Sequence, residues 1–167
     1  YICKTFVMIM ELTSEEKEVY DEIQELIKSN YFMSSGMQIN GKLAIYAILP
    51  KITSSSKSAM ESLTKIVNDK ERYHECTRDH AKKILDRYKQ LKKDSKIEKL
   101  VEIVKNIYSK DRNQKILIYT KHPTTLSYIA SKLKPLGLSV VEFTGGNNRE
   151  EKTEIIEEFR NNSDIMI

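Results

Sequence analysis

Residues 114–167 read QKILIYTKHPTTLSYIASKLKPLGLSVVEFTGGNNREEKTEIIEEFRNNSDIMI, and the alternation inside this stretch decides the fold. KILIY at 115–119 is a short β-branched run, the signature of a strand buried on both faces of a parallel sheet. PTTLSYIASKL follows, with Pro123 at a first helical position and Pro135 and Gly137 marking the end. LSVVEF predicts a second strand, NREEKTEIIEEFRNN a helix with Ile155, Ile156 and Phe159 inward, and DIMI a third strand. Short loops between alternating strands and helices imply parallel strands joined by right-handed crossovers. The class is therefore α/β, with about three parallel strands and flanking helices.

Loops leaving the carboxyl ends of parallel strands share one edge of the sheet, so TKH (120–122) and TGGNN (144–148) are expected as neighbours there. Each precedes a helix N-terminus, which offers free N–H groups and a partial positive charge to an anion. Gly145 and Gly146 let a ligand approach the backbone closely, and Thr120, Lys121 and Thr144 add side-chain donors. The anion would be a phosphate, of a nucleotide or of a nucleic acid. Neither G-x-x-x-x-G-K-[ST] nor G-x-G-x-x-G occurs, and the paired glycines also read as a tight turn holding no ligand.

Upstream, Ser95 and Glu98 predict a capping box ahead of a helix burying Ile97, Leu100, Val101, Val104, Ile107 and Tyr108. Residues 68–93 read as one long helix with Ile84, Leu85, Tyr88 and Leu91 inward. Its end is basic: residues 81–96 hold seven Lys or Arg against two Asp, either a solvated face or a nucleic-acid surface. HECTRDH at 74–80 invites a metal reading, but only Cys76 and His80 share a helical face, so no metal site is expected from His74, Cys76 and His80. Met60, Leu63 and Val67 share a face of the preceding helix, LAIYAIL is closed by Pro50, and residues 30–42 read as loop. The first helix opens on a Thr13/Glu16 capping box and buries Val19, Ile23, Leu26 and Ile27.

The whole chain has 167 residues, 40% hydrophobic and 31% charged, which is the balance of a globular protein of one domain or two small ones. A net charge of +4 is too mild to demand nucleic acid by itself. No apolar run is long enough for a membrane span, and the opening YICKTFVMIMEL lacks a basic leader and cleavage site. Cys3 and Cys76 suit a reducing interior rather than a disulfide framework, so a cytoplasmic setting is expected. Starting at Tyr1 and stopping on a strand-like DIMI, the chain reads as part of something longer, since an uncovered parallel strand leaves edge groups unpaired.

ILIYT (116–120) and the TGG...R..K...I..F block resemble the start of the second RecA-like domain of superfamily-two helicases. ELTSEEKEVYDEI, SSSKSAMESL and KIEKLVEIV look like the helical segment joining the two motor domains of Swi/Snf-type translocases, the RapA/HepA-like branch above all. The resemblance implies a helical segment at 1–94 and the first part of a RecA-like domain at 95–167. It implies a motor on double-stranded DNA, with ATP and Mg bound between this domain and a first RecA-like domain. In such motors the corresponding loops touch strand phosphates, which implies backbone contacts from Thr120, Lys121, Thr144, Gly145, Gly146, Asn148 and Arg149. No catalytic residue falls within the chain, so alone it is expected to bind no ATP and to be inert. Two departures stand out: Lys152 replaces an arginine of many relatives and loses its bidentate fork, and Leu49-Pro50 interrupts a helix they continue. The rival readings are a protein-interaction module and a flavodoxin-like phosphoester-binding domain.

Overall fold

The computed structural model describes residues 7–28, 33–34, 37–38, 41–162 and 164–167. Helix α1 (Ser14–Lys28) starts at the expected capping box: the Thr13 N–H donates to Glu16 Oε2 at 2.8 Å, and the Glu16 N–H donates to Thr13 Oγ1 at 3.2 Å. Two short strands, β1 (Met33–Ser34) and β2 (Met37–Gln38), pair antiparallel in the stretch expected to be loop. Then come α2 (Gly41–Ser54), α3 (Ser56–Asn68), α4 (Glu75–Gln90) and α5 (Ser95–Lys110). The sheet-bearing half adds β3 (Ile116–Leu117), α6 (Pro123–Leu133) with a 3-10 turn at Lys134–Leu136, β4 (Val140–Val141), α7 (Arg149–Asn161) and β5 (Ile165–Met166).

Several expectations change in the first half. Pro50 sits inside α2 and does not close it. It removes one backbone donor, but Ile52 is buried and Ile48 and Leu49 pack beside it, so tertiary packing outweighs the lost bond. The long helix expected over 68–93 begins only at Glu75. Asp69 turns the chain by accepting the Arg72 N–H at 2.9 Å, and His74 becomes the N-cap, its Nδ1 facing the Cys76 N–H at 3.4 Å. Leu63 is fully buried as expected, while Ala59 and Ile66 join it and Met60 and Val67 lie at the flanks. With Val19, Ile23, Leu26 and Ile27, and with Ala81, Ile84 and Leu85 from α4, these residues make the first hydrophobic cluster.

The second cluster joins Ile97 and Val104 of α5, Leu126, Ile129, Ala130 and Leu133 of α6, and Ile165 and Ile167 at the centre of the sheet. Both strand pairs of this three-stranded sheet are parallel, in the order β3-β5-β4. The last strand is therefore the central one, paired on both sides, and not an open edge. β3 is an outer strand and is not buried on both faces: Ile116 and Ile118 face the cluster, while Leu117 and Tyr119 alternate outward and remain 67% and 88% exposed. Ile155, Ile156 and Phe159 of α7 are only half-buried.

Polar groups line the contact between the halves. Thr125 Oγ1 lies 2.7 Å from Ser54 Oγ and 2.8 Å from Ser55 Oγ. Asp94, rather than Ser95, is the N-cap of α5: its carboxylate accepts the Ile97 N–H at 3.2 Å, the Tyr128 hydroxyl at 3.0 Å and the Ser56 hydroxyl. Ser95 is free to turn to α1, donating its N–H to Glu16 Oε1 at 2.7 Å and its hydroxyl to Oε2 at 2.5 Å. The Thr13/Glu16 capping box thus also ties α1 to α5. Burial raises the Glu16 pKa, but hydrogen bonds from Ser95 and Thr13 outweigh it and hold the carboxyl below its usual value. A depressed folded-state pKa gives stability that is present above the unfolded carboxyl value and lost as pH falls through the folded one. Acid titration followed by circular dichroism should accordingly show Glu16→Gln less stable than wild type at neutral pH, the gap closing as Glu16 protonates; a gap independent of pH would contradict this.

Candidate nucleic-acid interface

The loops after β3 and β4 lie at the same carboxyl edge, but β5 runs between their strands. They are separated by two interstrand spacings, about 9–10 Å, instead of adjoining. The turn after β4 is closed by its own side chains. Both the N–H and the hydroxyl of Thr144 donate to Asn147 Oδ1, at 2.7 and 2.8 Å, and the Asn147 N–H returns to the Thr144 carbonyl at 3.3 Å. Thr144 therefore shapes the turn and has no hydroxyl proton left for a ligand.

Asn148 is the N-cap of α7 in a full capping box: it accepts the Glu151 N–H at 2.9 Å, and its own N–H donates to Glu151 Oε2 at 3.0 Å. Asn147 Nδ2 donates to the same carboxylate oxygen at 3.1 Å. The N-terminus of α7 thus already holds a carboxylate, which competes with any outside anion for the positive end of the helix. Lys152 reaches back toward the Gly145 carbonyl, 3.5 Å from Nζ. A single ammonium suffices for that contact, which needs no guanidinium fork.

What remains outward is narrower than the sequence suggested. Gly145 and Gly146 are exposed, and among the described residues their N–H groups meet no acceptor. Neither has a positive φ, and a Cβ built on Gly145 would meet nothing within 4 Å, so the turn itself does not require glycine there. Lys121 and Arg149 are exposed, with no side-chain partner among the described residues. Thr120 Oγ1 accepts the His122 N–H at 3.3 Å and keeps its own proton.

His122 caps α6 without a side-chain hydrogen bond, which leaves that first turn open behind Pro123. The first-turn hydroxyls face the helical half: Thr124 donates to Glu61, and Thr125 meets Ser54 and Ser55. Hydrogen bonds from Lys65 and then Thr124 lower the Glu61 pKa. The loop that carries Lys121 is thereby fixed to α3. Asn147, which organises the glycine turn, was not among the expected site residues. Its signal was available: an Asn after paired glycines and four residues before a glutamate fits an Asx-type turn running into a helix cap.

This parallel α/β unit with a helical segment before it is the RecA-like architecture of helicase C-terminal domains. Residues 95–167 match the family described as the helicase conserved C-terminal domain. Over 95% of its length the chain is 26% identical to the ATP-dependent helicase YqhH of Bacillus subtilis, covering 27% of that protein. Over 43% it is 29% identical to the putative ATP-dependent RNA helicase MJ1505 of Methanocaldococcus jannaschii, covering 10% of it. The fold superposes on the Pyrococcus furiosus Hef helicase domain with a TM-score of 0.59 at 18% identity, spanning 93% of this chain and 42% of that one. It also superposes on the C-terminal part of the Fun30 ATPase domain with a TM-score of 0.55 at 17% identity, spanning 96% and 67%. The chain spans about a quarter of the length of YqhH, and its sheet-bearing half, residues 95–167, is the part that is similar to the helicase conserved C-terminal domain. No described helix is long and apolar enough to cross a membrane.

Proposed function

We propose that this chain is part of a Swi/Snf-type ATP-driven motor on double-stranded DNA, and that its carboxyl sheet edge grips one strand by its phosphates. The observation that supports this reading is the pair of unpartnered Gly145 and Gly146 N–H groups on a turn locked by Asn147, with Arg149 exposed at the start of α7 and Lys121 exposed on the loop two strand spacings away along the same edge. Two exposed N–H groups without a protein acceptor can donate to a phosphate, and the cations add charge without reading bases. Thr120 supplies a further donor, while Thr144 and Asn148 hold the turn in shape.

A nucleotide phosphate is the weaker candidate, because no phosphate-gripping loop motif accompanies the turn. ATP and Mg belong, on this reading, to the junction with a first RecA-like domain of the same motor. The motor then works wherever its DNA lies, in cytoplasm, nucleoid or nucleus. ATP turnover by the whole polypeptide that bears this segment is the test. Duplex DNA should stimulate it, Lys121→Ala with Arg149→Ala should reduce the stimulation by about tenfold or more, and the 167-residue chain alone should show none. Turnover by the isolated chain, or DNA stimulation unchanged in the double variant, contradicts the assignment.

A further inference from the structure

A groove of about 940 Å³ opens where the two hydrophobic clusters meet, away from the glycine turn. Its floor is apolar, with Leu12, Met60, Leu91 and Val101 among the lining residues. Five lysines surround it: Lys89, Lys92, Lys93 and Lys96 from the end of α4 and the start of α5, and Lys132 from α6.

Glu16, Asp94 and Glu98 on the same wall offset part of this charge and Lys89 is paired with Asp86 at 3.2 Å, so the positive surplus is small and is presented by the exposed Lys92 and Lys93. Asp94 is occupied by Ile97, Tyr128 and Ser56, and Glu16 by Thr13 and Ser95, which leaves Glu98 as the one lining carboxylate without a side-chain partner among the described residues. Lys92 and Lys93 are exposed and meet no acceptor among the described residues. Lys132 lies 5.4 Å from the centre of the Tyr128 ring.

We infer that this groove docks an acidic amphipathic segment of a protein partner, apolar anchors on the floor and carboxylates against the lysine rim. Charge complementarity selects the sign of the partner, and the floor selects its chemistry. A duplex offers phosphates but no apolar groups to set against Leu12, Met60 and Val101. A single strand would need open aromatic faces for stacking, but Tyr20 and Tyr88 are packed against the first cluster, and the Tyr128 ring has Lys132 over it and its hydroxyl on Asp94.

The probe is a labelled synthetic helix with Leu at i, i+3, i+4 and i+7 and Glu elsewhere, titrated with the 167-residue chain. Lys92→Glu with Lys93→Glu should weaken binding by about tenfold or more, and Leu12→Ser should weaken it too. Lys82→Glu with Lys83→Glu, also exposed but outside the groove, should leave it unchanged, as should Lys121→Ala. Replacing the peptide's Leu by Ser should abolish binding, and duplex DNA should not displace the peptide. No binding, equal loss in both lysine pairs, or displacement by duplex overturns the proposal. Because Lys121 lies outside this groove, its failure is distinguishable from failure of the phosphate-grip reading.

Discussion

Leu133→Ala is expected to destabilise the sheet-bearing half by about 2–5 kcal/mol, the range for truncating a fully buried leucine. Leu133 is 0% exposed and sits in the cluster where α6 meets α5 and the central strand. A unit the size of residues 95–167 has a total stability of only about 4–11 kcal/mol, so the variant should be partly unfolded at moderate temperature. The helical half keeps its own cluster around Leu63 and Ile84. If 1–94 and 95–167 are separate packing units, Leu133→Ala should expose the second half to protease while the first survives, with early cleavage at the exposed Lys92 and Lys93. Simultaneous loss of both halves would show that the polar contacts through Asp94, Glu16 and Thr125 weld them into one cooperative unit.

Gly145→Val is the functional counterpart. The backbone there is not left-handed and a Cβ would meet nothing within 4 Å, so folding stability should change by no more than about 0.5 kcal/mol. The β-branched side chain would nonetheless stand beside the N–H groups of residues 145 and 146, where a phosphate oxygen must come within about 3 Å. Losing two hydrogen bonds to a charged group, each worth about 1.5–3 kcal/mol, corresponds to at least a hundredfold loss of duplex affinity. Such a loss without a change in melting temperature separates ligand binding from turn geometry. A variant that binds like wild type would make the glycines a turn feature only.

The fold was largely legible because local signals agreed with one another. The Thr13/Glu16 box, the Val19-Ile23-Leu26-Ile27 stripe, Pro123 at a helix start and Gly137, whose φ is +78° after the 3-10 turn, each act within a few residues. The departures come from longer-range effects. Whether Pro50 ends a helix depends on what packs around it, and whether Ser95 caps α5 depends on Glu16, far away in sequence. Strand order is also non-local: nothing in KILIY or DIMI says that the last strand enters between the first two, so the exposure of Leu117 and Tyr119 was hidden.

At the candidate site, residue types pointed to one edge of the sheet but not to the division of labour among its residues. Thr144, Asn147 and Asn148 are all polar and adjacent, and only their hydrogen bonds reveal that they build the turn and leave the glycine N–H groups, Lys121 and Arg149 facing outward.

Titration of labelled duplex DNA at several salt concentrations tests the central claim most directly, using this chain or the whole polypeptide that bears it. Binding should weaken steeply with salt as counterions are released, and Lys121→Ala should make the slope of log K against log salt shallower by about 0.9, one phosphate's worth, for every duplex sequence tried. A slope and affinity unchanged in a folded Lys121→Ala variant, or a loss confined to one sequence, would contradict a phosphate grip at this edge.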